Sequence, residues 1–135
     1  MNALAVGTVE VTMNPEPAYD SNEGASIARV SIKKQFSGDL RASSTVEMIG
    51  ARSLLEKGSA GYVAIERVTG SLFGKSGSFV LQHSGTMTRG KGELRVSVVP
   101  DTGTDELKGL SGLMTIEISE GNHSYVFDYS FDDAS

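Results

Sequence analysis

The sequence predicts an all-β fold, an eight-stranded antiparallel barrel, on three observations. Apolar and polar residues alternate with a period of two through almost the whole 135-residue chain, as in strands that bury one face. Sixteen glycines against three prolines and no tryptophan, in a background rich in Val, Thr and Ser, suit strands joined by tight turns rather than helices. Each strand then has an apolar face to hide. Closure into a barrel hides all of these faces and removes sheet edges from a chain with few prolines to protect them. A two-sheet sandwich is the other arrangement such strands permit.

The first strand is written in Val9, Val11 and Met13 against Thr8, Glu10 and Thr12. The second sets Ala28, Val30, Ile32 and Phe36 against Arg29, Ser31, Lys33 and Gln35, and the third carries Leu40, Ala42, Val46 and Met48. A three-residue loop, Ser37-Gly38-Asp39, joins these two and sets Phe36 opposite Leu40 and Ile32 opposite Ser44. Tyr62 to Gly85 supplies the fourth and fifth strands around a glycine turn. A two-residue loop at Gly74-Lys75 places Val68 opposite Leu81, Gly70 opposite Phe79 and Glu66 opposite His83. A loop at Gly90-Lys91 pairs Met87 with Leu94, Gly85 with Val96 and His83 with Val98, which makes Leu94, Val96 and Val98 the sixth strand. Met114, Ile116 and Ile118 form the seventh. Across Gly121-Asn122 they meet the aromatic row Tyr125, Phe127, Tyr129 and Phe131 of the eighth. In each of these hairpins buried face meets buried face.

Helix signals are weak. Ser53-Leu54-Leu55-Glu56-Lys57 before Gly58, and Thr104-Asp105-Glu106-Leu107, each read as one turn within a connection. No linker, charge run or low-complexity segment divides residues 1–135, which read as a single β-barrel domain.

Composition narrows the function classes. The absence of cysteine removes disulfide scaffolds, thiolate metal sites and cysteine nucleophiles. Seventeen acidic against twelve basic residues, net charge −5, with no basic cluster denser than Arg29 to Lys34, argue against nucleic acid as a partner. No apolar run approaches a membrane span, and MNALAVGTVEV does not read as a leader, so a soluble cytoplasmic protein is expected. His83 and His123 are the only histidines and lack metal-ligand spacing. Glu120, Asp128, Asp132 and Asp133 could offer oxygen ligands but read as a solvated acidic tail. The string from Gly70 to Ser76 lacks both the spacing of a phosphate loop and the helix after it. No cofactor is expected.

The residues that carry chemistry lie in the central hairpin. Glu66 and His83 would stand side by side on the face of Phe79 and Leu81. There burial raises a carboxyl pKa and a neighbouring imidazolium lowers it. The pair reads either as a ligand-handling or catalytic couple or as a satisfied core pair. Arg67 falls on the other face as a solvated or inter-subunit charge, unless a three-residue loop at Gly74 turns it toward His83. Tyr62, Phe79, Leu81, Val98, Tyr125 and Phe127 are the candidate ligand-binding residues, with core packing as the alternative for the aromatic row. An aromatic lying over a strand glycine accounts for Gly70, covered by Phe79. Gly85 could leave room for a guest.

Ala60 to Arg67, Gly70-Ser71-Leu72 and Gly74-Lys75-Ser76-Gly77-Ser78-Phe79-Val80-Leu81-Gln82-His83-Ser84-Gly85 resemble the DUF3224 family of small, mostly bacterial proteins. Val98 to Leu107, with Gly109 and Gly112, resembles its second motif, and His123 to Tyr129 its last strand; Asp105 stands where glycine is expected. The resemblance spans nearly the whole chain. It implies an eight-stranded antiparallel barrel similar to plant allene oxide cyclase, of the lipocalin-like kind, and a function not known for the family. A shared barrel does not transmit a reaction, so no catalytic residue is carried over.

Three functions follow as expectations. The first is a barrel that binds a small apolar ligand whose polar end meets Glu66 and His83. The second is an isomerase or cyclase in which that pair moves a proton. The third is a structural homo-oligomer with a solid core.

Overall fold

The computed structural model describes residues 2–132. Among these residues nine strands run antiparallel: β1 (Ala3–Pro15), β2 (Asp20–Asn22), β3 (Ala25–Gly38), β4 (Leu40–Ser53), β5 (Ala60–Leu72), β6 (Lys75–Thr88), β7 (Lys91–Val98), β8 (Leu110–Ser119) and β9 (Asn122–Phe131). Each strand from β3 to β9 pairs with the next. β1 closes the ring by pairing with β9 on one side and β3 on the other. The result is the expected barrel of eight strands, with β2 as an addition. β2 exists because the ladder between β1 and β3 stops at Pro15↔Val30 and resumes at Asp20↔Ile27. Pro15 and Pro17 have no N–H to give a ladder, so the chain breaks there and pairs again further on.

The expected hairpin registers are displaced by two residues. The two-residue loops are Phe73-Gly74, Arg89-Gly90 and Glu120-Gly121, so that Leu72 pairs with Lys75, Thr88 with Lys91 and Ser119 with Asn122. Each loop has two consecutive positive φ angles, 47° and 81°, 47° and 89°, 52° and 82°. That is the type I′ turn whose twist matches the strands, and it puts glycine second in the loop rather than first. Val68 therefore faces Phe79, Gly70 faces Gly77, Glu66 faces Leu81, and Ala64 faces His83. His83 faces Val96, Gly85 faces Leu94, and Met114 faces Phe127. The loop at Gly38 is displaced similarly, with Phe36 opposite Ala42 and Ile32 opposite Val46. A shift of two leaves every side chain on its expected face.

One half of the barrel is packed solid. Phe36, Leu72, Phe79, Leu81, Tyr125 and Phe127 are buried together there, Phe79 stacking on Phe127 at 5.8 Å and Phe36 meeting Tyr125 edge-on at 5.6 Å. Leu107, from a 3₁₀ turn at Asp105–Leu107, seals that end. Toward the other end the core thins to Ile32, Val46 and Ala64. The second expected helical turn, Ser53 to Lys57, is a bend. Ser53 Oγ accepts the N–H groups of Leu55 and Glu56 as a cap does, but Gly58 follows before a helix can propagate. No helix among the described residues is long and apolar enough to cross a membrane.

Candidate functional site

A polar layer crosses the barrel between its packed and thinner halves. Glu66 on β5 is fully buried, at 0% exposure, and His83 on β6 is 4% exposed. His83 donates through Nε2 to Glu66 Oε1 at 2.7 Å, and Lys34 Nζ on β3 donates to the same oxygen at 3.1 Å. Ser44 on β4 donates through Oγ to Oε2 at 2.6 Å. The acid and the imidazole thus meet as expected, but along a diagonal: Glu66 lies opposite Leu81, and His83 opposite Ala64. Diagonal neighbours on one sheet face lie within reach of long side chains. Arg67 is exposed on the outer face, and the three-residue loop that would turn it inward does not form.

Lys34 and Ser44 were not among the candidates from sequence, although both hold inward positions. Lys34 falls between Ile32 and Phe36, and Ser44 between Ala42 and Val46, in rows that are otherwise apolar. A lysine and a serine interrupting buried rows signal partners for a buried carboxylate. Burial, the largest single influence, pushes the Glu66 carboxyl up. The hydrogen bond from His83, the charge of Lys34, the hydrogen bond from Ser44 and the field of His83 together outweigh it and hold the carboxyl below the ordinary glutamate range. Glu66 is an ionised, fully coordinated acid.

Beyond this layer the thinner half opens into a cup of about 750 Å³. Ala28, Val30, Met48, Tyr62, Leu94 and Ile118 line it, with Glu16, Arg52 and Glu93 also on its wall. Tyr62 links cup and polar layer: its ring lies 6.5 Å from that of His83, and burial, then the Glu66 charge, raises its phenol pKa. The ring also lies over Gly85, its cross-strand partner, where a Cβ would come within 2.6 Å of Cε1. The space at Gly85 is therefore filled by Tyr62 and is not open to a guest. Gly70, expected under Phe79, instead lies against the backbone of Arg41 and Ala42. Of the six candidate ligand-binding residues, Tyr62 lines the cup. Phe79, Leu81, Val98, Tyr125 and Phe127 lie in the packed half.

Tyr125 has a structural assignment of its own. Its hydroxyl accepts the Leu40 N–H at 2.9 Å and donates to the Ser37 carbonyl at 2.9 Å, tying β9 to the β3–β4 turn. Among the described residues no three histidine or acidic side chains gather into a metal site. His123 stands at the start of β9, opposite Ile118 and Val9, and Asp133 lies outside the described residues.

The family model described as "Protein of unknown function (DUF3224)" matches residues 5–129. The chain belongs to the DUF3224 family. A crystal structure of a DUF3224 protein with unknown function from Shewanella oneidensis MR-1 is similar to it, with 44% sequence identity and a TM-score of 0.91. That likeness covers 98% of this chain and 99% of the Shewanella chain. No curated protein matches this DUF3224 chain.

Proposed function

We propose that this DUF3224 protein is a small-molecule-binding barrel that takes an apolar ligand with one polar end. The observation that carries the reading is the open cup of about 750 Å³, walled by apolar side chains and floored by Tyr62. Pockets of this size and character, with few polar groups, suit small ligands. The polar end meets the Tyr62 hydroxyl, which makes no hydrogen bond among the described residues and lies within the electrostatic reach of Glu66. Glu66 and His83 act from behind Tyr62, fixing the ring and the field at the floor.

Binding is favoured over turnover by the state of Glu66. Both its oxygens are engaged by Lys34, His83 and Ser44, and neither Glu66 nor His83 is among the residues that line the cup. A base that moves protons needs reach to its substrate. An isomerase or cyclase would require the pair to be uncovered by movement of Tyr62. A homo-oligomer is the second reading, motivated by exposed Ile49, Val63 and Ile65 on the outer faces of β4 and β5, and light scattering across a range of concentrations checks it. The proposed compartment is the cytoplasm, which cell fractionation tests.

Titration with an environment-sensitive apolar dye, together with native mass spectrometry of freshly purified protein, tests binding. The expected results are saturable fluorescence that a co-purified small molecule competes away, and weaker binding by Tyr62→Phe. Absence of both saturable binding and any retained molecule would remove the proposal.

A further inference from the structure

The barrel is unevenly zipped. β6 and β7 pair continuously from Leu81↔Val98 to Thr88↔Lys91, and β8 and β9 from Leu110↔Phe131 to Ser119↔Asn122. Between β7 and β8, however, only Val96↔Met114 and Ser97↔Leu113 are in register. Toward the cup the two strands part, leaving Lys91–Arg95 and Thr115–Ser119 without partners across the seam. The register at Val96↔Met114, carried on, would set Leu94 opposite Ile116, Glu93 opposite Glu117 and Gly92 opposite Ile118. Two carboxylates would then stand directly opposite, which disfavours pairing, and Gly92 offers Ile118 no side chain to pack on. The parting is thus encoded locally.

Leu94 and Ile118 flank the gap and also line the cup. Both belong to inward-facing rows, yet they are 49% and 67% exposed. Together with the unpaired stretch beside them, they leave an apolar slit at the rim of the cup.

We infer that the ligand is an elongated, single-chain amphipath whose apolar tail lies in the β7–β8 slit between Leu94 and Ile118, and that these two residues set the chain length accepted. The inference rests on the proposed cup function, since a tail in the slit needs a head in the cup. A compact or ring-shaped ligand would use the cup and leave the slit empty. A linear chain buries Leu94 and Ile118 progressively as it lengthens, and each added methylene placed against them tightens binding about fourfold.

Straight-chain primary alcohols from hexanol to tetradecanol, displacing the fluorescent dye from the full chain, test this. The wild-type series should tighten with each methylene through the longer members. Leu94→Ser with Ile118→Ser should weaken tetradecanol at least about tenfold more than it weakens hexanol, flattening the upper part of the series. Leu113→Ser, an exposed outward position on β8, should follow the wild-type series. Failure of every alcohol to bind the wild-type protein would overturn the cup and the slit together. Binding of hexanol with parallel series in wild type and double variant would overturn the slit alone and leave the cup.

Discussion

Replacing Lys34 with methionine isolates the electrostatics of the buried layer. The substitution keeps an unbranched side chain between Val11 and Ser44 but removes the ammonium 3.1 Å from Glu66 Oε1. Glu66 is left at 0% exposure with two hydrogen bonds, from His83 at 2.7 Å and Ser44 at 2.6 Å. Breaking a buried ion pair in this way costs about 3–5 kcal/mol, because the remaining charge is stranded. For a domain of this size that lowers the thermal midpoint by roughly 10–20 °C. The double variant Lys34→Met with Glu66→Gln removes both charges and lets the amide keep bonds to Ser44 and His83. It should recover most of the loss, to within about 1–2 kcal/mol of wild type.

The pH dependence has a definite sign. The folded-state pKa of Glu66 lies below its ordinary value, so its stabilising contribution is complete above about pH 4.3 and is lost as pH falls through the folded value. The deficit of the Lys34→Met variant relative to wild type should therefore narrow as pH falls through the folded-state value, where the carboxyl takes up its proton. Urea unfolding at pH 7 and again under acid supplies both numbers. A deficit under about 1 kcal/mol at pH 7, or a double variant no better than the sum of its parts, would refute the reasoning.

Three further outcomes are expected. Tyr125→Phe strands the buried Leu40 N–H and should lower unfolding free energy by about 1–3 kcal/mol, with no change in dye affinity, since Tyr125 lies in the packed half. Gly85→Ala puts a Cβ within 2.6 Å of the Tyr62 ring and should displace it toward the cup, costing about 1–3 kcal/mol and weakening dye binding in the same titration. Glu117→Lys replaces a repulsive extension of the β7–β8 register with an attractive one. It should slow amide hydrogen exchange over Lys91–Arg95, and unchanged exchange would count against Glu93 and Glu117 as the cause of the gap.

The closed barrel, the strand sequence and the inward or outward sense of each side chain were legible because alternation records parity directly. Pairing was harder. With glycine taken as the first loop residue, Gly74, Gly90 and Gly121 each produced a register two residues out. Phe73, Arg89 and Glu120 instead accept positive φ angles in front of those glycines, which no pattern of hydrophobicity announces. Glu66 and His83 still met because an even slip preserves the face. Lys34 and Ser44 were visible in the same rows and are recovered by asking which inward positions are polar. The gap between β7 and β8 is an absence of pairing. It is seen in sequence only once a register exists to set Glu93 against Glu117.

The double role of β1 has a consequence for synthesis. Gly7, Thr8 and Val9 pair on one side with Gly38, Ser37 and Phe36 and on the other with Tyr125, Ser124 and His123. The first of these neighbours leaves the ribosome soon after β1, while the second is among the last strands translated. Until then β1 has one raw flank, and contacts this distant along the chain form slowly. A nascent barrel is thus a curl waiting for its final strand, and during translation its exposed margin is the place where two growing chains could exchange partners.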